Sequence, residues 1–577
     1  MGYTENSMKK WNLQSIDERK ADELAKQLGL PRLLALLLVA RGEGTVDGAA
    51  KFLEPKISSL QDPFVIPNIK AAAERVLLAK QRGEKVVVFG DYDVDGVTGT
   101  AIVVQTLKLL GLETSYYIPH RYNEGYGLSV AAVKALAASG TNLIVTVDCG
   151  VSNVREVLAA GEVGVDVIVT DHHNLPPVLP AAVAIVNPKM MPAGHPSRDL
   201  SGSGVAFKFA WALLRTAGIK DSFFLTALLD LAALGTFSDV VPLTGENRVI
   251  AKSGLAYIDG RQRIGLKKLA EVANLNGTIG ADQIYFGLAP RLNAAGRLEH
   301  AGKSVDLLLA EDGTIARQLA EEINKINIRR QETGAKIKEE VFSRLPAVDE
   351  GKAIVMSGEN WNPGVIGIVA SQVAEARFRP AVLIGVNDGI GRGSARSVGK
   401  LNIFDHLVKC RDLFLDFGGH AGAAGFKIEA KNIPLFAEQF LAEVATGIAD
   451  DELAPGLAID AEVTIDQLSL SLVKELQRLA PFGERNPVPV LMLRNLALSN
   501  FRTIGNGNKH LKAKFNFGGA EVETIGFGMG SLGECLDYSK RYDLAFNLES
   551  NEWNGFESAQ LRLIDLRESN SPPDPLS

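Results

Sequence analysis

Four uninterrupted apolar runs constrain this chain more than any other feature: "KVVVFG" at 85–90, "NLIVTVD" at 142–148, "VDVIVTD" at 165–171 and "VAIVNP" at 183–188. A strand that is apolar on both faces must be covered on both faces. The segments between the runs read as helices, such as "VTGTAIVVQTLKLLG" directly after the first run. Alternating strands and helices of this kind predict a parallel sheet between helical layers, an α/β domain.

Three of the runs end in acid. "GDYDVDGVTGT" at 90–100 places Asp91, Asp93 and Asp95 after the first, Asp148 closes the second, and Asp171, His172 and His173 follow the third. All strands of a parallel sheet end on one side, so these groups converge on one rim. Two carboxylates about 5 Å apart repel by roughly 3 kcal/mol at an effective dielectric of ~20, so such a set calls for a cation. A calcium hand is excluded, because it needs a glutamate twelve positions on and flanking helices. Here that position is Ile102 and a strand comes first. "DVDGV" also resembles a phosphatase loop of the haloacid-dehalogenase type, with a nucleophilic aspartate. That reading leaves the other acidic strand ends unexplained.

A lone aspartate after a strand is usually a helix cap, and paired histidines on a loop are usually surface residues. Three strand ends with this chemistry together are hard to produce by capping. Hard oxygen donors with one or two imidazoles suit Mn²⁺ or Mg²⁺, and two ions better than one. A buried helix at 222–235, "SFFLTALLDLAALG", leads to a further candidate, Asp239.

With 577 residues, the chain has room for several such units. Residues 1–60 read as an N-terminal helical segment and 61–310 as the sheet domain. A long amphipathic connecting helix spans 311–345, with Ile315, Leu319, Ile323 and Ile326 at helical spacing. A second α/β lobe covers 346–450, a small β domain 451–567, and a disordered tail 568–577. Three widely spaced cysteines (Cys149, Cys410, Cys535) argue against a disulfide framework or a zinc–thiolate site and fit a reducing cytoplasm. No apolar run approaches the ~20 residues of a membrane helix, so no membrane association is expected. A net charge of −7 does not advertise nucleic-acid binding, yet a local basic groove can still bind phosphates.

"DYDVDG", "VDCG", "TDHH" and "ALGTFSDVVPL" resemble the motifs of the DHH phosphoesterase superfamily. The resemblance is closer to its single-strand-specific exonuclease branch through "GLAPRLNAAGRL", "NKINIRRQ", "WNPGVIGIVAS", "FGGHAGAAGF", "LAPFGERNPVPV" and "NEWNGFESAQLRLIDLR". It extends from about residue 30 to 567. It implies a DHH domain and a DHH-associated lobe joined by the long helix, then a C-terminal OB-like β-barrel. It also implies a 5′→3′ exonuclease that hydrolyses single-stranded DNA to mononucleotides with two Mn²⁺ or Mg²⁺ ions, in recombination and repair. A single-stranded-DNA-binding protein and a RecQ-type helicase are the implied partners. A DHH phosphodiesterase for short oligonucleotides or cyclic dinucleotides stays open as the alternative.

Carried over by position, Asp91, Asp93, Asp95, Asp148, His172 and Asp239 would hold the metals. His173 would face the scissile phosphate and Asp171 would orient an imidazole. For DNA, the resemblance implies Arg392, Ser394, Arg396, Ser397, Gly418, Gly419 and His420 in the second lobe. Arg291 and Arg297, arginines beside small residues, are candidates either to clamp a phosphate bidentately or to form an interlobe salt bridge. Lys509, His510, Lys512 and Trp553 are the candidates on the barrel, beside Phe501 and Lys514. Three departures stand out: Phe89-Gly90 where many DHH enzymes place a histidine, and Ala395 and Arg485 where glycine is usual.

Overall fold

A computed structural model describes residues 9–346, 351–448, 453, 455–553 and 555–569. The chain divides into two compact units. One comprises Ala50–Gln331 with Leu479–Pro487; the other comprises Met1–Ala49, Glu332–Arg478 and Val488–Ser577.

The first unit is built on a five-stranded, all-parallel sheet. Its spatial order is Thr114–Tyr117, Val86–Gly90, Leu143–Val147, Asp166–Thr170, Ala184–Val186. The predicted runs form four of these strands. Thr114–Tyr117 went unread because it is an edge strand of half-buried and exposed residues with no apolar run. Alternate side chains of the central strands enter two separate cores. Val88, Val145 and Ile168 face helices carrying Ile102, Phe207 and Ala232, whereas Phe89, Ile144 and Val169 face Val133 and Val157. That two-sided cover explains the uninterrupted apolar runs.

Chain order and spatial order part company at Val86–Gly90. The next strand in sequence, Thr114–Tyr117, lies on one side of it, and the one after, Leu143–Val147, lies on the other. A crevice opens at the carboxyl ends of strands where the winding reverses in this way. Asp91 and Asp148 stand at that point.

Some local readings need correction. Residues 222–235 are not one buried helix: the helix Ser222–Ala227 ends at Leu228, a second runs Leu229–Ser238, and Phe223 is exposed. The N-terminal segment is not purely helical. Lys10–Leu13 is a strand paired in parallel with Gly456–Ile459, and Trp11 Nε1 donates to Asp565 at 2.7 Å. Each local run was too short to signal its partner hundreds of residues away. The expected tail falls largely outside the described residues.

The second unit holds a five-stranded mixed sheet ordered Phe414–His420, Ala423–Glu429, Ile390–Arg396, Ala381–Asn387, Ile354–Glu359. It also holds a barrel whose strand Leu491–Ile504 pairs with both His510–Phe517 and Arg541–Trp553, closing the sheet. A continuous helix, Gly313–Arg344, carries the chain from the first unit into the second.

Arg248, 2% exposed, ties Leu479–Pro487 into the first unit. Its guanidinium donates to the carbonyls of Phe52, Leu479 and Ala480 and lies 3.6 Å from the Phe52 ring centroid. Nearby Arg485 has φ 56, a conformation that glycine adopts more readily. Arg248→Ala would leave buried carbonyls unpaired and should lower unfolding stability by roughly 3–4 kcal/mol. Denaturant titration checks this, and Arg248→Lys should not restore it, because an ammonium lacks the planar fork.

Candidate metal centre

Each strand end turns sharply and is tied to its neighbour. Asp91 N–H donates to the Val147 carbonyl, and Asp148 N–H donates to that of Thr170. Asp93 caps the Val94–Leu109 helix by accepting from Gly96 N–H at 3.1 Å. Asp95, one residue inside the helix, is buried; its oxygens accept from Gly202 N–H at 2.5 Å and Ser203 N–H at 2.9 Å. Asp148 adopts φ 62. Asp239 ends the Leu229–Ser238 helix.

The eight sequence-predicted residues come together. Donor atoms of Asp91, Asp93 and Asp148 lie within 4.8 Å of one another; so do those of Asp95, His172 and Asp239, and those of Asp148, His172 and His173. His172 Nε2 is 3.0 Å from Asp148 Oδ1, 3.4 Å from Asp239 Oδ2 and 4.0 Å from Asp95 Oδ2. These approaches are not ordinary ion pairs. Asp91 Oδ1, Asp148 Oδ1 and His172 Nε2 are all buried, and none has a hydrogen-bond partner. The imidazole does hydrogen-bond the Leu200 backbone, which leaves Nε2 as the nitrogen facing the carboxylates.

Burial, then the charge of His173, pushes His172 down to about 3, so it is a neutral ligand-type imidazole. Burial, then Asp93, raises Asp91 well above the ordinary carboxyl value and Asp95 to about 6. Burial, then Asp95 and Asp93, raises Asp148 strongly and Asp239 to about 9. Like charges forced together out of water behave this way when nothing positive lies between them. The donors fit hard divalent cations: carboxylate oxygens, one neutral imidazole, and buried atoms left unpaired. Cys149 Sγ instead lies 3.8 Å from the Phe89 carbonyl.

Asp171 is different. Its Oδ1 accepts from the His172 and His173 backbone N–H groups and lies 2.7 Å from His173 Nδ1, while Oδ2 accepts from Val151 N–H. Burial opposes its charge, but His173 holds it below the ordinary carboxyl value. Burial likewise opposes a charge on His173, yet Asp171 raises it to about 9. His173 is therefore protonated at neutral pH.

The missing first-motif histidine has a structural account. Phe89 is buried and stacked on Tyr117 at 5.2 Å. A Cβ at Gly90 would lie 1.8 Å from Thr100 Oγ1, so that position admits no side chain. Asp91 is the first group of this segment that reaches the cluster.

Several residues at the site escaped sequence reading. A Cβ at Gly202 would fall 2.5 Å from Asp148 Oδ1, and one at Gly235 would fall 2.4 Å from Asp95 Oδ1. Both let a helix backbone close on a carboxylate. The run "SGSG" at 201–204 was the available signal. Tyr126 donates to the Asp148 carbonyl at 3.0 Å and lies 3.1 Å from His173 Nδ1. Arg121 stacks over Tyr92 at 4.5 Å. Val240, next to Asp239, takes φ 56, and 68% of it is exposed. A left-handed conformation costs a non-glycine residue roughly 1–2 kcal/mol.

The DNA-contact candidates are dispersed. In the first unit, Arg291 donates to Asn324 Oδ1 and the Gly287 carbonyl, and Arg297 lies on the last turn of the same helix. Arg330, unread in the sequence, donates to Asn327 Oδ1. Burial, then the charge of Arg291, lowers the pKa of Arg330. Among the described residues, neither Arg291 nor Arg330 makes an ion pair with a carboxylate.

In the second unit, Arg392, Ser394 and Arg396 alternate along one strand, where Ala395 fits fully buried. Arg396 donates to Ser371 Oγ, Ser394 Oγ and its neighbour's carbonyl, and Ser397 donates to the Leu401 carbonyl. Gly418, Gly419 and His420 end an exposed edge strand. A Cβ at Gly419 would lie 2.5 Å from Ala424 Cα. On the barrel, Lys509 is exposed and His510 Nδ1 accepts from Gly528 N–H. Lys512 and Lys514 are each paired with a glutamate, and Phe501 faces Tyr538 at 5.8 Å. The Trp553 side chain lies outside the described residues. No described helix is long and apolar enough to cross a membrane.

Three domain families match the chain: the DHH family N-terminal domain over residues 85–236, the DHHA1 domain over 350–446 and the RecJ OB domain over 459–565. The single-stranded-DNA-specific exonuclease RecJ of Bacillus subtilis is 38% identical over 565 residues, covering 97% of this chain and 71% of that relative. The crystal structure of Thermus thermophilus RecJ with Mn²⁺ superposes with a TM-score of 0.85 at 32% identity, covering 98% of this chain and 81% of that one. The Mg²⁺ complex of the same protein gives 0.79 at 31% identity, covering 98% and 80%.

The raised carboxyl values have a consequence for pH. Asp95 and Asp239 hold protons in the metal-free fold that the unfolded chain loses near pH 4. Metal-free stability should therefore fall as pH rises from about 4 through about 9. Mn²⁺ must displace these protons, so its affinity should rise about tenfold or more between pH 6 and 8. Calorimetry in buffers of different ionisation enthalpy checks both proton release and affinity; a flat affinity would refute the assignment. Gly235→Ala should retain the fold by circular dichroism yet weaken Mn²⁺ binding by on the order of 100-fold.

Proposed function

The chain belongs to the RecJ family of single-stranded-DNA-specific exonucleases, and we infer that it hydrolyses DNA at the carboxylate cluster. The observation that carries this is the set of buried, unpartnered atoms Asp91 Oδ1, Asp148 Oδ1 and His172 Nε2, on residues of three overlapping donor groups. Asp91, Asp93 and Asp148 would hold one Mn²⁺ or Mg²⁺ ion, and Asp95, His172 and Asp239 a second. Asp148 Oδ1 lies 3.0 Å from His172 Nε2, so Asp148 would be the residue shared between the two sets of ligands. When bound, such a pair of ions lowers the pKa of water and offsets charge on the leaving oxygen.

The chain's own residues do the rest. Asp171 locks His173 through Nδ1, so the protonated ring offers its Nε2–H to a phosphate oxygen. Tyr126 braces both that imidazole and the Asp148 backbone. Arg291 and Arg330, compensated by amide oxygens and no carboxylate, suit a terminal phosphate. With the family resemblance, they support 5′→3′ polarity and mononucleotide release. In the second unit, Arg392, Ser394 and Arg396 of the Ile390–Arg396 strand, Ser397 after it, the Gly418–His420 edge and the barrel's Lys509, His510 and Lys512 would bind single-stranded DNA.

The resemblance supports a place in recombination and repair. It also supports binding to a single-stranded-DNA-binding protein and a RecQ-type helicase, which co-purification would test. Three free cysteines support a reducing, cytoplasmic setting.

Degradation of 5′-labelled and 3′-labelled single strands with Mn²⁺, Mg²⁺ or chelator tests the whole reading. Early release of the 5′ label alone as mononucleotide is expected, lost with chelator and in Asp148→Ala. Cleavage of short oligonucleotides or cyclic dinucleotides with long strands left intact would refute it.

A further inference from the structure

Val240 is in the wrong conformation for its side chain. Among the described residues, eleven non-glycine residues have positive φ, and seven of them are Asn or Asp, which tolerate it. Val240 is the one β-branched residue among them. The path of the chain explains the conformation but not the residue. Val240 follows the last turn of the Leu229–Ser238 helix, where a left-handed residue commonly ends a helix and is usually glycine. Val241 then precedes Pro242, which favours an extended backbone. Glycine or asparagine would serve that path without strain.

Packing does not explain the residue either. The side chain is 68% exposed and belongs to neither apolar core of its unit. Among the described residues, packing into those cores does not offset the strain. The next residue back is Asp239, whose Oδ2 lies 3.4 Å from His172 Nε2 inside the donor cluster. An aliphatic group held in solvent beside a site that handles a polyanion matches the apolar parts of a nucleotide, its base face and its deoxyribose. Contact with a base face is indifferent to sequence, because every base has one.

We propose that Val240 is a substrate-contacting residue whose side chain packs on the base of the nucleotide at the carboxylate cluster. This rests on the reading that the cluster hydrolyses single-stranded DNA.

The full-length protein with Val240→Gly, and separately with Val240→Asn, tests it. Thermal midpoint, Mn²⁺ affinity by electron paramagnetic resonance, and kcat and KM on a single-stranded oligonucleotide are measured. Both variants should keep or raise the midpoint and bind Mn²⁺ within about twofold of wild type, while KM rises about five- to tenfold. On an oligonucleotide lacking bases at its end, wild type and variants should become equal. Loss of Mn²⁺ affinity in step with activity would overturn the proposal, because Val240 would then act by positioning Asp239. Unchanged KM in an active protein overturns this proposal alone; a wild type that cleaves no single strand overturns the function beneath it.

Discussion

Repulsion among five carboxylates at one end of one sheet governs the catalytic unit. Asp91, Asp93, Asp95, Asp148 and Asp239 share donor distances within 4.8 Å in their groups, and most are buried. A pair of such charges is unfavourable by roughly 3 kcal/mol at about 5 Å and an effective dielectric of ~20. The fold keeps them together by spending backbone hydrogen bonds on them: Gly202 and Ser203 on Asp95, Gly96 on Asp93. What it leaves unpaired points inward, toward the space where a divalent cation would sit.

Close packing around the cluster follows from the same need. Helix backbones approach the carboxylates only because Gly202 and Gly235 have no side chain to intervene. Gly90 is equally closed to any side chain, so Asp91, one position later, is the first group of this segment to reach the cluster. Burial also separates the roles of the two histidines. His172, pushed down to about 3, is a neutral donor, whereas His173, raised to about 9 by Asp171, stays cationic. Adjacent residues of one type thus differ in charge.

Much of this was legible. Apolar runs announced four strands, and their acidic ends announced every ligand candidate except Asp239, which follows a helix; both signals are local. The edge strand Thr114–Tyr117 was not, since a half-exposed edge carries no continuous apolar pattern. Gly235 and Gly202 looked like ordinary small residues, and their importance depends on carboxylates about 140 and 54 positions away in sequence. Tyr126, Arg330 and Val240 were missed for a related reason. A tyrosine contact, an arginine without a carboxylate and a strained φ are relations in space and leave no spacing behind.

The sequence by itself determined the α/β class, the acidic strand ends and the hard-donor chemistry, because strand polarity and residue type are properties of short segments. Only the tertiary structure decided that Val86–Gly90 lies between Thr114–Tyr117 and Leu143–Val147, which puts Asp91 and Asp148 side by side at the reversal of winding. It also decided which carboxylate oxygens are already satisfied and which remain free. Strand order and hydrogen-bond partners arise from long-range packing, and no local run of residues encodes them.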